Sequence, residues 1–399
     1  MPRLVIVGGG FAGFWSAMSA VRQSRVLDKS DSLQITMVSM DEYLSIRPRF
    51  YEDRFAEMRV PLKKYLDPMG IDFSVGKVIS IDSREKNVIL LDPDGREEML
   101  SFDGLILAAG SRLNHPDIPG FEHSFNVDTF GSAVRLDQHL RSLSESHFSS
   151  PASRVFLVVG ASFTGLEVVT GLPERLRSYG QPGISFDFIL TDRGSSIAPE
   201  YSSEARTVIA RQLEKEGIRF LSGEEADFIA PDGIVFKSGK RIETRTIIWC
   251  GGMEASPLTS SFSVDRDRLG RLRVDRFLRM DGQKTLFAAG DVALAVVDEG
   301  YYSVMSCQHA IPQGKFAGHN AVNALFGNDL TPYSQPRYVT CLDLGSEQAL
   351  LTSGWDRIPK MTGVSAKELK TEIMTQWTIP DADVEETVRG STPLVLGNE

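Results

Sequence analysis

Residues 4–13 read Leu-Val-Ile-Val-Gly-Gly-Gly-Phe-Ala-Gly and predict the fold of the first part of the chain. The apolar run over 4–7 is typical of a buried parallel strand, and a small-residue helix pattern over 14–21 follows the glycines. A second strand is predicted over 34–38. The glycines satisfy G-x-G-x-x-G between a strand and a helix, which is the context that a dinucleotide-binding turn requires. The positions expected to bind the nucleotide are Gly8, Gly10, Phe11, Ala12 and Gly13.

The same order of elements recurs later in the chain. A strand is predicted over 154–159, a glycine turn over 160–165, a helix from near Thr164 and another strand over 186–190. Two mononucleotide-binding folds explain this repeat better than a solenoid does. Ser162 replaces the middle glycine, so a nucleotide must lie slightly further out or accept a hydrogen bond from the hydroxyl. The expected contacts in this turn are Gly160, Ser162 and Gly165.

The residue at the end of the second strand of each unit is expected to bind the adenosine ribose. In the second unit this residue is Asp192, whose carboxylate favours NADH because it would repel the 2′-phosphate of NADPH. The adjacent Arg193 leaves NADPH open, since a guanidinium pairs well with phosphate. In the first unit the corresponding residue is Ser39, which is a weaker partner than a carboxylate.

Smaller sheets are predicted around these two units. Alternating segments over 78–81, 87–91 and 98–102 indicate an antiparallel meander, and 235–242 resembles a hairpin that precedes a strand over 246–249. After Pro332 the pattern changes to short strands, a helix over 366–377 and an acidic tail. These last segments predict a small third domain.

Length and composition exclude several classes of protein. A chain of 399 residues, 42% hydrophobic and 24% charged, is typical of a globular protein with two or three domains. Its net charge of −10 gives no general attraction to nucleic acid or anionic lipid. Three widely spaced cysteines form neither a disulfide framework nor a metal motif, which fits a reducing cytoplasm. No run of apolar residues is long enough for a transmembrane segment.

Two further strands end in short glycine turns. Residues 105–111 read Leu-Ile-Leu-Ala-Ala-Gly-Ser, and residues 285–291 read Thr-Leu-Phe-Ala-Ala-Gly-Asp. Together with the two glycine turns, they make residues 3–320 resemble the two-dinucleotide-binding-domain flavoproteins of the pyridine nucleotide-disulfide oxidoreductase superfamily. The resemblance implies bound FAD, with NADH or NADPH as electron donor. It also implies that Asp291 binds the ribityl chain of FAD, with Ala109, Gly110 and Gly290 in the same site.

The fold class that follows is α/β, with two Rossmann-like domains and a small C-terminal α+β domain. The predicted FAD domain is discontinuous, over 1–118 and 265–330, and the NAD(P) domain over 119–264 is inserted into it. The C-terminal domain is predicted over 331–399. A homodimer is possible for such a chain.

Within the superfamily the chain is most similar to type II NADH dehydrogenases, and part of it resembles apoptosis-inducing-factor relatives. Segments 9–13, 246–258 and 307–314 carry the first resemblance, and residues 43–48 carry the second. The implied roles are a glutamate near the nicotinamide, acceptor-side catalytic residues, a segment over the flavin and a nucleotide contact. Glu167 matches the glutamate near the nicotinamide, and Gln308 and His309 match the acceptor-side residues. Arg47 and Pro48 match the segment over the flavin, and Gly251 matches the nucleotide contact. A surface or helix-dipole role stays open for Glu167, and a purely packed role for His309.

The chain departs from these families in three places. No cysteine precedes Cys250, so dithiol chemistry is excluded, and sulfide oxidation at Cys307 would need a partner cysteine. The quinone-side segment of the family reads Gln-x-Ala-x-Gln-Gln-Gly, and Pro312 removes one of those glutamines here. Near the C-terminus, one apolar stripe of Leu369, Ile373 and Trp377 precedes acidic residues that anionic headgroups would repel.

The predicted activity is relay of hydride from the nicotinamide through FAD N5 to a quinone or another small acceptor. We expect a cytoplasmic enzyme and not a membrane-bound respiratory quinone reductase. Two alternatives stay open. One is a reductase of an electron-transfer protein such as ferredoxin, which a basic docking patch would favour. The other is an NAD(P)H-sensing interaction flavoprotein, which slow turnover with every small acceptor would favour.

Overall fold

The computed structural model describes residues 1–179 and 183–394. Its first part contains the strands β1 (Arg3–Val7), β2 (Gln34–Ser39), β3 (Tyr43–Ser45), β4 (Arg59–Pro61), β5 (Asp72–Val75), β6 (Lys77–Asp82), β7 (Asn87–Leu91), β8 (Glu97–Ser101), β9 (Gly104–Leu107) and β10 (Ser111–Leu113). The next strands are β11 (Val155–Val159), β12 (Asp187–Asp192), β13 (Ile218–Ser222), β14 (Ala226–Ala230), β15 (Gly233–Phe236), β16 (Arg241–Glu243), β17 (Thr246–Trp249) and β18 (Met253–Ala255).

The last strands are β19 (Leu272–Arg273), β20 (Leu286–Ala288), β21 (Ala293–Leu294), β22 (Val296–Asp298), β23 (Tyr301–Tyr302), β24 (Val339–Asp343), β25 (Ala349–Ser353) and β26 (Ile358–Gly363). The α-helices are α1 (Phe11–Val26), α2 (Lys63–Leu66), α3 (Phe130–Glu145), α4 (Phe163–Ser178), α5 (Ser203–Lys215), α6 (Cys307–Phe326), α7 (Val364–Glu372) and α8 (Val384–Gly390). Among the described residues, no helix is both long enough and apolar enough to cross a bilayer.

The first sheet has the parallel strand order β20-β9-β1-β2-β5. Because β20 follows the whole second sheet in sequence, the chain leaves the first sheet and later returns to it. Helices α1 and α6 pack tightly beside this sheet. A Cβ atom at Gly314 or Gly318 of α6 would overlap the backbone carbonyls of Ala12 or Ser16, so both glycines are needed for this close approach.

The second sheet has the parallel order β13-β12-β11-β17. It repeats the strand, glycine turn, helix and strand of the first sheet, which confirms the predicted pair of nucleotide-binding folds. Strand and helix positions also agree, although α1 extends from Phe11 to Val26, beyond the predicted 14–21. The added residues at the two ends are partly exposed, as Arg25 and Val26 show, and their mixed polarity hid them from the apolar pattern.

Three antiparallel sheets of three strands each accompany the two parallel sheets, together with four smaller two-stranded sheets. Strands β6, β7 and β8 form the predicted meander, and β14, β15 and β16 form the sheet predicted inside the second unit. Strands β24, β25 and β26 pack against α7 and form the C-terminal sheet. The predicted α/β fold class is confirmed, whereas the exact domain boundaries stay predictions.

Helix α7 differs from its prediction in the face that it buries. Helix α7 continues into a π-helical turn, Ile373–Trp377, and its buried residues are Ala366, Lys370 and Met374. The predicted apolar stripe is therefore not the buried face of the helix, since its last residue, Trp377, is 59% exposed. The acidic tail is also partly folded, because Asp383 caps α8 and Glu385 pairs with Arg25 of α1.

Candidate active site

The first glycine turn is packed closely on two sides and open in the middle. A Cβ atom at Gly8 would overlap the Ala108 carbonyl, and one at Gly13 would overlap the Gly8 carbonyl. At Gly10, no atom lies within 4 Å of such a Cβ. No side chain caps the start of α1, so its first N–H groups are free for an anion. This geometry fits a pyrophosphate at Gly10, with Phe11 and Ala12 at the start of the helix.

The second glycine turn has almost the same geometry. Gly8 and Gly160 have φ angles of +119° and +109°, which an L side chain would strain, and a Cβ at Gly165 would overlap the Gly160 carbonyl. Ser162 takes the place of Gly10 with an extended backbone and a hydroxyl that does not cap α4. The serine is therefore compatible with the turn, and its exposed hydroxyl is free for a ligand. Gly251 packs against Gly160 from the end of β17.

The two ribose-binding positions are built differently. The Asp192 carboxylate accepts hydrogen bonds from the backbone N–H groups of Ala161 and Gly194, at 2.8 Å and 2.7 Å. These bonds hold it beside the second glycine turn, while Arg193 is exposed. Ser39 lies against the first turn, where a Cβ at Gly9 would come within 2.5 Å of its hydroxyl oxygen. Both predicted residues therefore lie beside their own glycine turns.

Asp291 and Arg47, which are far apart in sequence, meet through one serine. Ser111 donates its hydroxyl to Asp291 Oδ2 at 2.5 Å and accepts a hydrogen bond from the Arg47 guanidinium at 3.0 Å. Arg47 also forms an ion pair with Asp128. Burial raises the pKa of Asp291, and the Ser111 hydrogen bond opposes that rise. The charge of Arg47 is thus fixed in the same site as the carboxylate predicted to bind the ribityl chain.

Small residues bring the remaining strand ends close to the first turn. Gly110 follows Ala109 at the end of β9 with a φ of +66°, and a Cβ there would meet no atom within 4 Å. A Cβ at Gly290 would come within 2.9 Å of the Ala12 side chain. Pro48 lies in the short 3₁₀ turn that also carries Arg47. Gly8, Gly110 and Gly290 therefore follow the carboxyl ends of three neighbouring strands of the first sheet.

Glu167 is buried and paired, so a surface role for it is excluded. Its side chain is 3% exposed, and Oε1 accepts hydrogen bonds from Lys370 Nζ at 2.7 Å and from the Asp343 N–H at 3.1 Å. Burial raises the pKa of Glu167 to about 7, against the lowering effect of Lys370. A carboxyl group of this kind can exchange a proton near neutral pH. Its contact with a nicotinamide stays a prediction.

Gln308 and His309 are both engaged with the protein itself. In its satisfied orientation the Gln308 amide donates to the Val339 carbonyl at 2.9 Å and accepts from the Val339 N–H. His309 is 1% exposed, and its Nδ1 accepts a hydrogen bond from the Val304 N–H at 3.3 Å. Burial lowers the pKa of His309 to about 4, so the ring is neutral at pH 7. The contacts favour a packed role for His309, and catalytic roles for both residues stay predictions.

Sequence reasoning missed several residues of this region. Lys370 and Asp343 bind Glu167, Tyr51 hydrogen-bonds Asp343 at 2.8 Å, and Ser111 joins Arg47 to Asp291. A signal was present for Lys370, since it lies four residues after Ala366 and four before Met374, on the face that α7 buries. The other three contacts join distant segments and leave no local pattern.

The three cysteines are free, and their surroundings disfavour the thiolate form. Burial raises the pKa of Cys250 to about 12 and that of Cys341 to about 11, and it also raises the pKa of Cys307. Thiols in such surroundings stay protonated and behave as small apolar groups.

Comparison with known proteins supports the assignment made from these sites. The chain is 39% identical over 384 residues to an NADH dehydrogenase-like protein of Mycobacterium tuberculosis, covering 95% of each chain. It is 26% identical to the demethylphylloquinone reductase of Synechocystis, covering 88% of this chain and 86% of that one. The structure of NDH2 from Plasmodium falciparum with NADH matches with a TM-score of 0.75 at 13% identity, covering 98% and 97% of the two chains. Residues 2–314 match the model of the pyridine nucleotide-disulphide oxidoreductases, so the chain belongs to this FAD-dependent family of NAD(P)H oxidoreductases.

Proposed function

We propose that this protein takes hydride from NADH and passes two electrons, through FAD, to a small acceptor of the quinone class. The observation that carries the proposal is the pair of matching glycine turns, one beside Asp291 and the other beside Asp192. FAD, when bound, supplies the hydride acceptor at N5 and the electron donor for the second half of the reaction. The work of the polypeptide is to bind, orient and neutralise charge.

Each half of the site has its own set of proposed contacts. In the first half, the α1 N-terminus holds the pyrophosphate, Ser39 binds the adenosine ribose, and Asp291 holds the ribityl chain. In the second half, the α4 N-terminus and Ser162 hold the nicotinamide nucleotide, and Asp192 binds its adenosine ribose. Two backbone N–H bonds hold the Asp192 carboxylate beside the turn, and a carboxylate in that place would repel the 2′-phosphate of NADPH.

The acceptor is proposed as a quinone because several relatives are named as quinone reductases. The usual glutamines of the acceptor segment are engaged elsewhere. Gln308 is bound to Val339, and Gln313 accepts a hydrogen bond from the Gly290 N–H at 2.7 Å. The Gln308 amide is thus taken up by Val339, whereas Gln313 Nε2 has no hydrogen-bond partner among the described residues. Because Pro312 replaces one glutamine of the family segment and the net charge is −10, we favour a cytoplasmic reductase over a membrane-bound respiratory one.

Reduction of a quinone by NADH takes up one proton for each hydride transferred. Glu167 is the proposed holder of that proton, because its pKa lies near neutrality and Lys370 lies within hydrogen-bonding distance of it. The proton would reach the acceptor side after the donor has delivered its hydride.

Spectroscopy and titration of the purified protein test the proposal. The protein should carry FAD, and Asp291→Ala should weaken FAD binding about ten- to a hundred-fold, because a charge-assisted hydrogen bond is worth about 1.5–3 kcal/mol. The control is Asp281→Ala, which changes an exposed carboxylate of a nearby turn and should leave FAD content unchanged. Stopped-flow mixing with NADH and then with quinones, dyes, oxygen or ferredoxin identifies both substrates. A protein that neither contains nor takes up flavin would refute the proposal.

A further inference from the structure

A network of buried charged groups surrounds Glu167, and its outer half lies beyond the contacts discussed so far. Lys370 Nζ donates to Glu167 Oε1 at 2.7 Å and to the Cys341 carbonyl at 3.0 Å. Asp343, whose N–H binds the same glutamate oxygen, has its own carboxylate paired with Lys367 at 2.6 Å and 2.7 Å. The four ionisable side chains therefore form two ion pairs, Glu167–Lys370 and Asp343–Lys367. The hydrogen bond from the Asp343 N–H to Glu167 connects the two pairs.

The network joins distant segments of the chain. Glu167 belongs to α4, Asp343 to β24, and Lys367 and Lys370 to α7. Tyr51, four residues after Arg47, donates its hydroxyl to Asp343 Oδ2 at 2.8 Å. A single carboxylate thus accepts hydrogen bonds from Tyr51, three residues after the segment predicted to lie over the flavin, and from Lys367 on α7. The backbone N–H of the same residue donates a hydrogen bond to Glu167, the glutamate predicted to be near the nicotinamide.

The two ion pairs differ in their access to water. The side chains of Glu167 and Lys370 are 3% and 5% exposed, whereas that of Lys367 is 27% exposed. Lys367 lines a surface groove of about 550 Å³ together with Ser346, Glu347 and Glu368. The Lys367–Asp343 pair is therefore the solvent-facing end of the network, and the Glu167–Lys370 pair is its buried end.

We propose that Asp343 and Lys367 are positioning residues that set the charge state of Glu167. The inference rests on the proposed function, in which Glu167 holds the proton taken up during turnover. Asp343 places a second negative charge near Glu167, and Lys367 compensates that charge from the solvent side. Removing Lys367 should therefore raise the pKa of Glu167, and removing the charge of Asp343 should lower it.

The surrounding charges agree with this assignment. Burial raises the pKa of Glu167, Lys370 lowers it and Asp343 raises it. The groups that face Glu167 from the packed elements are Lys370 on α7, Asp343 and Cys341 on β24, and Tyr51. Tyr51 and Cys341 both have a raised pKa because of burial, so they stay neutral near pH 7. The charges that remain to tune Glu167 are therefore Lys370 and the Asp343–Lys367 pair.

Infrared difference spectroscopy of the oxidised holoenzyme measures the protonation of Glu167 without turnover. The band of its protonated carboxyl group, identified by its loss in Glu167→Gln, should titrate with a midpoint near pH 7. Lys367→Met leaves Asp343 uncompensated and should raise that midpoint by about one pH unit, and Asp343→Asn should lower it by about one pH unit. Lys367→Arg should restore the wild-type midpoint. Lys360→Met, which changes an exposed lysine on β26, is the matched control and should leave the midpoint unchanged.

The pH profile of flavin bleaching by NADH should shift in the same two directions. A merely structural role would lower the rate or stability of the variants but would not move the midpoints in opposite directions. An unchanged midpoint in both Lys367→Met and Asp343→Asn would overturn the inference, as would a carboxyl band that persists in Glu167→Gln. If Asp343→Asn does not fold, an unshifted midpoint in Lys367→Met is sufficient to overturn it. Failure of the proposed function is seen separately, as wild-type flavin that neither NADH nor NADPH bleaches.

Discussion

Replacing Lys370 with methionine isolates the buried ion pair, because methionine keeps most of the apolar stem and removes only the charge. In the wild type, burial raises the pKa of Glu167 to about 7, whereas a glutamate in the unfolded chain titrates near 4.3. Such a raised pKa favours folding most below the unfolded value. That contribution to stability is lost progressively as the pH rises above the unfolded-state pKa. Once the pH exceeds the folded-state pKa, the loss stops and the stability curve levels off.

The variant should lose stability only above neutral pH. Without Lys370 the pKa of Glu167 rises further, so the folded state must keep a proton that the unfolded state has already released. Each pH unit above 7 then costs about 1.4 kcal/mol, giving about 1.4 kcal/mol at pH 8 and nearly 3 kcal/mol at pH 9. Below about pH 6.5 the two proteins should be similar in stability, because Glu167 is protonated in both.

Chemical denaturation of the holoprotein at several pH values measures this difference. Because a chain with several folding units need not unfold in one step, far-ultraviolet circular dichroism and flavin fluorescence should be followed together. The double variant Glu167→Gln/Lys370→Met is the control, since its stability relative to the wild type lacks the steep loss above pH 7. A loss in Lys370→Met of the same size at every pH would show that packing, and not the ion pair, is responsible, and would refute the reasoning.

Three further predictions concern the nucleotide sites and the surface. Asp192→Ala should raise the Kd of NADH in stopped-flow traces and leave the limiting rate of flavin reduction unchanged, because the ribose contact is remote from the nicotinamide; a fall in the limiting rate alone would argue against it. Gly13→Ala should abolish FAD retention because its Cβ overlaps the Gly8 carbonyl, whereas Gly131→Ala in α3 meets open space and should stabilise the protein by up to about 1 kcal/mol, as denaturation and flavin content will show. The net charge of −10 should keep the protein from floating with anionic liposomes, and co-flotation would contradict the cytoplasmic proposal.

The fold was predictable where local chemistry dictates it. Buried parallel strands read as short apolar runs, and the glycines at 8, 13, 160 and 165 occur where a side chain would overlap the backbone. These requirements act within a few residues, so they leave a readable pattern. The matching of both turns, including an extended backbone at Gly10 and at Ser162, follows from the same constraint.

The site was less predictable because its polar contacts join distant parts of the chain. Glu167 lies 203 residues from its partner Lys370, and Ser111 lies 180 residues from Asp291. Such pairs depend on how three sheets pack together, which no local periodicity encodes. The buried face of α7 shows the same limit, since the more apolar stripe of Leu369, Ile373 and Trp377 differs from the face that packing buries, on which Lys370 lies.

Pro312 shows how a departure from the family pattern is absorbed by the structure. A proline inside a helix has no N–H for the carbonyl four residues earlier, which here belongs to Gln308. Gln335 supplies the missing donor, with its Nε2 at 3.0 Å from that carbonyl. The Gln308 side chain meanwhile pairs with the backbone of Val339 at the start of β24. Pro312, Gln308 and Gln335 together therefore tie the start of α6 to the C-terminal sheet. The segment therefore has a structural role in this chain, and any contact of Gln308 with the acceptor stays a prediction.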